Sequence, residues 1–219
     1  MNNASKEDVV ALVRASSYAS DFEAIFGAGS LDDAEIAYDL IADAIAAFER
    51  TETFSPFSSK FDQVQNGTIL FTLAEARGER LFNGKAQCIL CHNTVDIDEQ
   101  LFSDFEFRNI GVPANPTLIT ILGPFIDNGR GDVTGRARDN GRFRTPTLRN
   151  IAITAPYMHN GVFTSLTEVV EFYNTRDTTF PDPPEVSDNV DDFASIGELG
   201  LTNNEIADIV EFLETLSDQ

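Results

Sequence analysis

Cys88-Ile89-Leu90-Cys91-His92 holds both cysteines of the chain and one of its two histidines. A C-x-x-C-H run is the attachment signature of a c-type haem, with two thioethers to the porphyrin and the adjacent histidine on the iron. Two cysteines three positions apart lie about one helical turn from each other, so both can face one porphyrin edge. Two other readings compete, a thioredoxin-like redox pair and half of a zinc site. Zinc needs two more ligands, and only His159 is left to help. A redox pair wants a βαβ context, which the flanking sequence lacks. The residue chemistry favours haem c.

The chain has 219 residues, enough for one large domain or one and a half small ones. Its 42% hydrophobic content and eighteen phenylalanines supply a core and exclude wholesale disorder. The net charge of -21 argues against nucleic acid or an anionic membrane as partner, since both would be repelled. It suits a solvated acidic shell, and leaves room for steering towards a basic redox partner. No apolar run is long enough for a transmembrane helix. The start, Met1-Asn2-Asn3-Ala4-Ser5-Lys6-Glu7-Asp8, lacks the basic and apolar regions of a signal peptide. Covalent haem attachment nevertheless belongs to the outer side of a bacterial inner membrane. The expectation is therefore a periplasmic protein whose export signal was removed or lies upstream in a longer chain.

Apolar and capping patterns indicate an all-α fold. Ser5-x-x-Asp8 and Ser30-x-x-Asp33 resemble helix starts. After Ser30, the residues Ile36, Leu40, Ile41, Ala44, Ile45 and Phe48 recur at three- and four-residue spacing, as on one amphipathic helix of about five turns. Residues 51–66 read as irregular. Thr72-Leu73-Ala74-Glu75 is a capping box opening a helix through Leu81 and Phe82 into the haem motif. Residues 123–141 are rich in Gly, Asp, Asn and Arg and read as a long polar loop. Pro146 and Pro156 forbid one continuous helix over 143–161. Ser165-x-x-Glu168 and Thr202-x-x-Glu205 open two more helices, separated by a Pro/Asp-rich loop over 177–192. The second axial position on the iron has three candidates: Met158, 66 residues past His92, with His159 and Tyr173.

Phe143-Arg144-Thr145-Pro146-Thr147-Leu148-Arg149-Asn150, then Thr154-Ala155-Pro156-Tyr157-Met158-His159-Asn160-Gly161, closely resembles a signature of the bacterial di-haem cytochrome c peroxidase and MauG-like family. Further matches run in order around it: Ala46-Ala47-Phe48-Glu49-Arg50-Thr51, Gly78-x-x-Leu81-Phe82 and Asn109-Ile110-Gly111-Val112. The resemblance implies that residues 1–66 are a helical inter-haem segment and residues 67–219 a cytochrome c-like domain. It implies that Cys88, Cys91 and His92 hold the family's second, C-terminal haem, the electron-entry site. The ligand opposite is then the residue fourteen beyond His159, which is Tyr173 where the family's peroxidases carry Met. Tyr here resembles the MauG-like branch, in which it helps the iron reach high oxidation states. Met158 becomes the alternative. The resemblance also implies backbone carbonyls of Thr154 and Pro156 on a calcium ion. Arg144 and Arg149 are candidate partners of the haem propionates, because guanidinium matches planar carboxylates.

The family carries two C-x-x-C-H motifs and this sequence has one. The peroxide-binding haem, the third calcium ligand and the inter-haem tryptophan belong to parts without a counterpart here. Met1 aligns with the Met of an N-P-x-E-M-like motif holding the family's catalytic acid, so no catalytic residue is expected in this chain. The implied functions are three. One is the electron-receiving half of a hydrogen peroxide reductase fed by a small cytochrome or copper protein. The second is a MauG-like oxidase of a protein substrate, and the third a stand-alone mono-haem cytochrome c. The absent N-terminal haem domain is the first implied partner, and a homodimer is compatible with the pattern.

Overall fold

The structure is a computed structural model in which residues 5–93, 101–192 and 195–219 are described. The match of Met1 to the acid-bearing motif lies outside these residues. The chain divides into two compact units, Met1–Pro56 and Phe57–Gln219. The division falls before the expected boundary at 66, because residues 57–66 are bound into the second unit. There the Phe61 amide donates to the Thr215 carbonyl at 3.0 Å, and Arg149 pairs with Asp62 at 2.7 Å.

The first unit holds α1 (Lys6–Arg14), α2 (Ala19–Phe26) and α3 (Ala34–Glu49). Ser5 caps α1 by accepting from the Asp8 amide at 3.2 Å. Asp33, not Ser30, caps α3: its carboxylate accepts from the amides of Glu35 and Ile36. Val10, Val13, Phe22, Leu31 and Ala37 form a small core. The apolar stripe on α3 is only partly used. Leu40, Ile41 and Ala44 pack on the core, whereas Ile36, Ile45 and Phe48 are exposed.

The second unit is built on the crossing of α5 (Leu73–Asn83) and α9 (Asn203–Glu214), with α8 (Leu166–Thr175) packed on α9. Thr72, Ser165 and Thr202 each complete the expected capping box. Gly78 is what lets α5 meet α9 so closely, since a Cβ there would lie 1.9 Å from the Asp208 carbonyl oxygen. Arg77 then clamps Asp208 with two hydrogen bonds of 2.7 and 2.6 Å. Beneath the crossing, Phe61, Phe82, Phe102 and Phe212 interlock, with Phe61 edge-on to Phe102 at 5.0 Å.

Two short helices, α4 (Lys60–Gln65) and α7 (Arg130–Thr134), depart from the sequence expectation, and a third, α6 (Pro116–Leu122), lies in a stretch for which the sequence pattern made no assignment. α4 lies in the stretch expected to be irregular, opened by a Ser59/Asp62 capping box. α6 starts on Asn115, whose side chain accepts from the next two free amides. α7 falls inside the expected polar loop, held by the Arg130 amide donating to the Arg142 carbonyl at 2.9 Å. A minimal antiparallel ladder pairs β1 (Phe107–Arg108) with β2 (Phe143–Arg144). Otherwise the regular structure among the described residues is helical, and the fold is all-α. No helix among them is long and apolar enough to cross a membrane.

Candidate haem site

After α5 the chain turns through Gln87, and Cys88–Leu90 forms a single 3-10 turn. The amides of Cys91 and His92 both donate to the Cys88 carbonyl, at 3.2 and 2.9 Å. This turn sets both thiols and the His92 ring on one wall. The His92 Nδ1 lies 2.9 Å from the Phe102 carbonyl oxygen. A carbonyl only accepts, so Nδ1 carries the proton and Nε2 keeps its lone pair. Phe102 is itself buried in the aromatic cluster. The packed core thereby fixes the tautomer of a ring that lines the cavity, as outer partners do for histidines in metal sites. Burial holds His92 below the usual imidazole range, with the Phe102 hydrogen bond opposing.

The wall faces a cavity of about 470 Å³ that Leu148, Val170, Ile209 and Leu213 help to line, within the ordinary size range of cofactor pockets. Burial pushes the Cys88 thiol up to about 12 and the Cys91 thiol in the same direction. A redox pair needs a readily formed thiolate, so these thiols are poorly suited to that chemistry. Among the described residues no group of three or more His, Cys, Asp or Glu could hold a metal ion, which leaves the zinc reading without a ligand set. Paired thiols, a free imidazole lone pair and apolar walls fit haem c.

Tyr173 and Met158 both line the cavity. Burial pushes the Tyr173 phenol up, and Cys91 and Cys88 act on it in the same direction. Its hydroxyl has no hydrogen-bond partner among the described residues. Met158 sits in a left-handed backbone conformation at φ 69°. His159 stacks on Phe143 with ring centroids 3.7 Å apart and meets Glu185 at 3.3 Å. Thr154 and Pro156 are also on the lining.

The two arginines part company. Arg144 lines the cavity, its guanidinium over the Phe105 ring at 4.5 Å. Arg149 is not on the lining: it grips Asp62 at 2.7 and 2.9 Å and lies over Phe57. Arg108, which sequence reasoning passed over, lines the cavity and pairs with Asp104 at 2.6 Å. Its signal was its place directly before Asn109-Ile110-Gly111-Val112.

Residues 1–69 match the family described as di-haem cytochrome c peroxidase. MauG of Paracoccus denitrificans is 39% identical over 223 residues, covering 92% of this chain and 57% of that protein. The chain belongs to the di-haem cytochrome c peroxidase family. Another relative, the cytochrome-c peroxidase IdrP1 of Denitromonas iodatirespirans, is 37% identical over 80% of this chain and 48% of its own length. Among solved structures, the diheme peroxidase BthA of Burkholderia thailandensis superposes with a TM-score of 0.85 at 30% identity, covering all of this chain and 60% of that one. A MauG-like protein associated with microbial copper homeostasis gives 0.70 at 33% identity over 63% of its chain. This family member thus spans about half to three-fifths of the length of the relatives it matches.

Proposed function

We propose that this chain is the electron-transfer haem portion of a di-haem peroxidase-family protein, receiving electrons from a small cytochrome or copper protein for hydrogen peroxide reduction at a second haem. The observation that carries this reading is the placement of Cys88, Cys91, the tautomer-fixed His92 and Tyr173 around one cavity. When bound there, haem c supplies a one-electron couple whose potential the axial ligands tune.

The chain's own residues do the rest. Cys88 and Cys91 would hold the haem covalently, and His92 would offer Nε2 to its iron. Tyr173 is the favoured second ligand and Met158 the alternative. Arg108 and Arg144 suit the propionates, while Arg149, neutralised by Asp62, serves the fold. Thr154 and Pro156 would hold calcium only with donors from outside this chain, since the ion takes about six to eight oxygens. Haem attachment of this type supports a periplasmic location for the protein. The 39% identity to MauG favours a second reading, an oxidase of a protein substrate acting through a Tyr-ligated haem.

Spectra of the oxidised, haem-loaded chain separate the two ligands. Tyr173→Phe is expected to change both the electronic and the paramagnetic spectrum, and Met158→Leu neither. A methionine–iron charge-transfer band that vanishes in Met158→Leu would reject Tyr173.

A further inference from the structure

Tyr173 stands in the last turn of α8, and the helix end that carries it is gripped by residues 197–201. The Gly197 amide donates to the Tyr173 carbonyl at 2.7 Å, and the Leu199 amide to the Asn174 carbonyl at 3.3 Å. The buried Asn174 side chain meets the Leu201 backbone twice, accepting from its amide at 2.8 Å and donating to its carbonyl at 3.1 Å. Gly197, at φ 100°, permits this approach, since a Cβ there would lie 2.8 Å from the Asp177 amide nitrogen. Leu199 and the neighbouring Ile196 line the haem cavity together with Tyr173.

Arg176, directly after α8, completes the grip. Its side chain is only 6% exposed. Nη1 donates to the Ile110 carbonyl at 3.0 Å and the Asp191 carbonyl at 3.4 Å, and Nη2 to the Ile196 carbonyl at 3.1 Å. Two of these three residues, Ile110 and Ile196, line the cavity. The guanidinium also forks onto Asp177, at 2.7 and 2.6 Å, whose side chain is 53% exposed. One buried cation thus ties the end of α8 to backbone on both sides of it in sequence.

We propose that Arg176 is the positioning residue for the second axial ligand: by joining the end of α8 to the cavity walls at Ile110 and Ile196, it holds Tyr173 ready for the haem iron. This deepens the reading of Tyr173 as that ligand and rests on it. His92 is oriented through its own ring nitrogen, by the Phe102 carbonyl. The Tyr173 hydroxyl has no such bond among the described residues, so its place is set through its backbone and packing. A ligand on a loose support pays ordering entropy when it binds, whereas a pre-set one does not. Arginine suits the task because its planar fork spans several acceptors at once, which an ammonium on a flexible stem does not.

Electronic and paramagnetic spectra of the oxidised, haem-loaded chain give the readout, the Tyr-bound signal being what Tyr173→Phe removes. Arg176→Lys keeps the charge but not the fork. It is expected to lower the ratio of Tyr-bound to Tyr-free ferric haem about tenfold, as the loss of an outer partner does at metal sites. It should also raise the reduction potential, since an anionic ligand favours ferric iron. Arg176→Gln should lose the same signal, and Asp177→Asn, which leaves the three carbonyl bonds in place, should keep it. Circular dichroism and covalent haem content report whether each variant folds. An unchanged Tyr-bound signal in a folded Arg176 variant overturns the role of Arg176 alone, as does an equal loss in Asp177→Asn. Failure of both Arg176 variants to fold also overturns it, because the side chain then serves the fold rather than the ligand. A Tyr173→Phe spectrum identical to the parent's overturns the reading of Tyr173 as ligand, and Arg176 with it.

Discussion

Arg149 shows how one side chain can be drawn into folding rather than cofactor binding. Its side chain is 9% exposed, and the guanidinium forks onto Asp62 and lies over the rings of Phe57, Phe61 and Phe102. Burial pushes the Asp62 carboxyl up, but hydrogen bonds from Arg149 and Ser59 outweigh it and hold the group below its usual range. A carboxyl depressed in the folded state adds stability above its unfolded value, near 3.9, and loses it as pH falls through the folded value. Asp62→Asn is therefore expected to cost about 1.5–3 kcal/mol at neutral pH, because it weakens the charge-assisted hydrogen bonds between this side chain and Arg149. Denaturant unfolding should show the gap to the parent protein closing below about pH 4. A gap that stays constant into acid would contradict the role given to this carboxylate. The motif residues Cys88, Cys91 and His92 were legible because their chemistry is local. Arg108 and the partner of Arg149 were not, since an arginine's partner is set by residues distant in sequence.

Helices whose start is written in neighbouring residues were legible as elements. Thr72, Ser165 and Thr202 each sit three residues before a glutamate, and each opens its helix where expected. α4 carries the same signal in Ser59 and Asp62 but spans only six residues, and tertiary contacts to Arg149 and Thr215 hold it. α7 is held where its Arg130 amide donates to the Arg142 carbonyl, a contact that no local pattern announces. The α5–α9 crossing depends on the missing side chain of Gly78. Replacing it with alanine gains about 1 kcal/mol of helix propensity. Against this, the new Cβ meets Asp208 backbone at 1.9 Å, which no rotamer relieves. Overpacking of that kind costs up to about 3 kcal/mol or more, so Gly78→Ala is expected to destabilise the second unit by at least about 2 kcal/mol. A raised thermal midpoint in calorimetry would refute the close-crossing argument.

The whole molecule carries 36 acidic and 15 basic residues, so even complete pairing leaves most carboxylates facing like charge. Such an excess works against the compact state. Raising sodium chloride from about 0.01 M to about 1 M shortens the screening length from about 30 Å to about 3 Å. The thermal midpoint is expected to rise by about 2–4 °C for each kcal/mol of repulsion removed. A midpoint that falls with salt would mean that the ion pairs outweigh the repulsion. Composition, helix periodicity, capping boxes and the C-x-x-C-H run by themselves determined an all-α, acidic, haem-binding chain, because each arises from residues within a few positions of one another. Only the tertiary structure decided that His92 is oriented through Phe102, that Arg108 and Arg144 rather than Arg149 reach the cavity, and that Tyr173 and Met158 share it with the cysteines. Those arrangements join residues far apart in the chain, and packing alone brings them together.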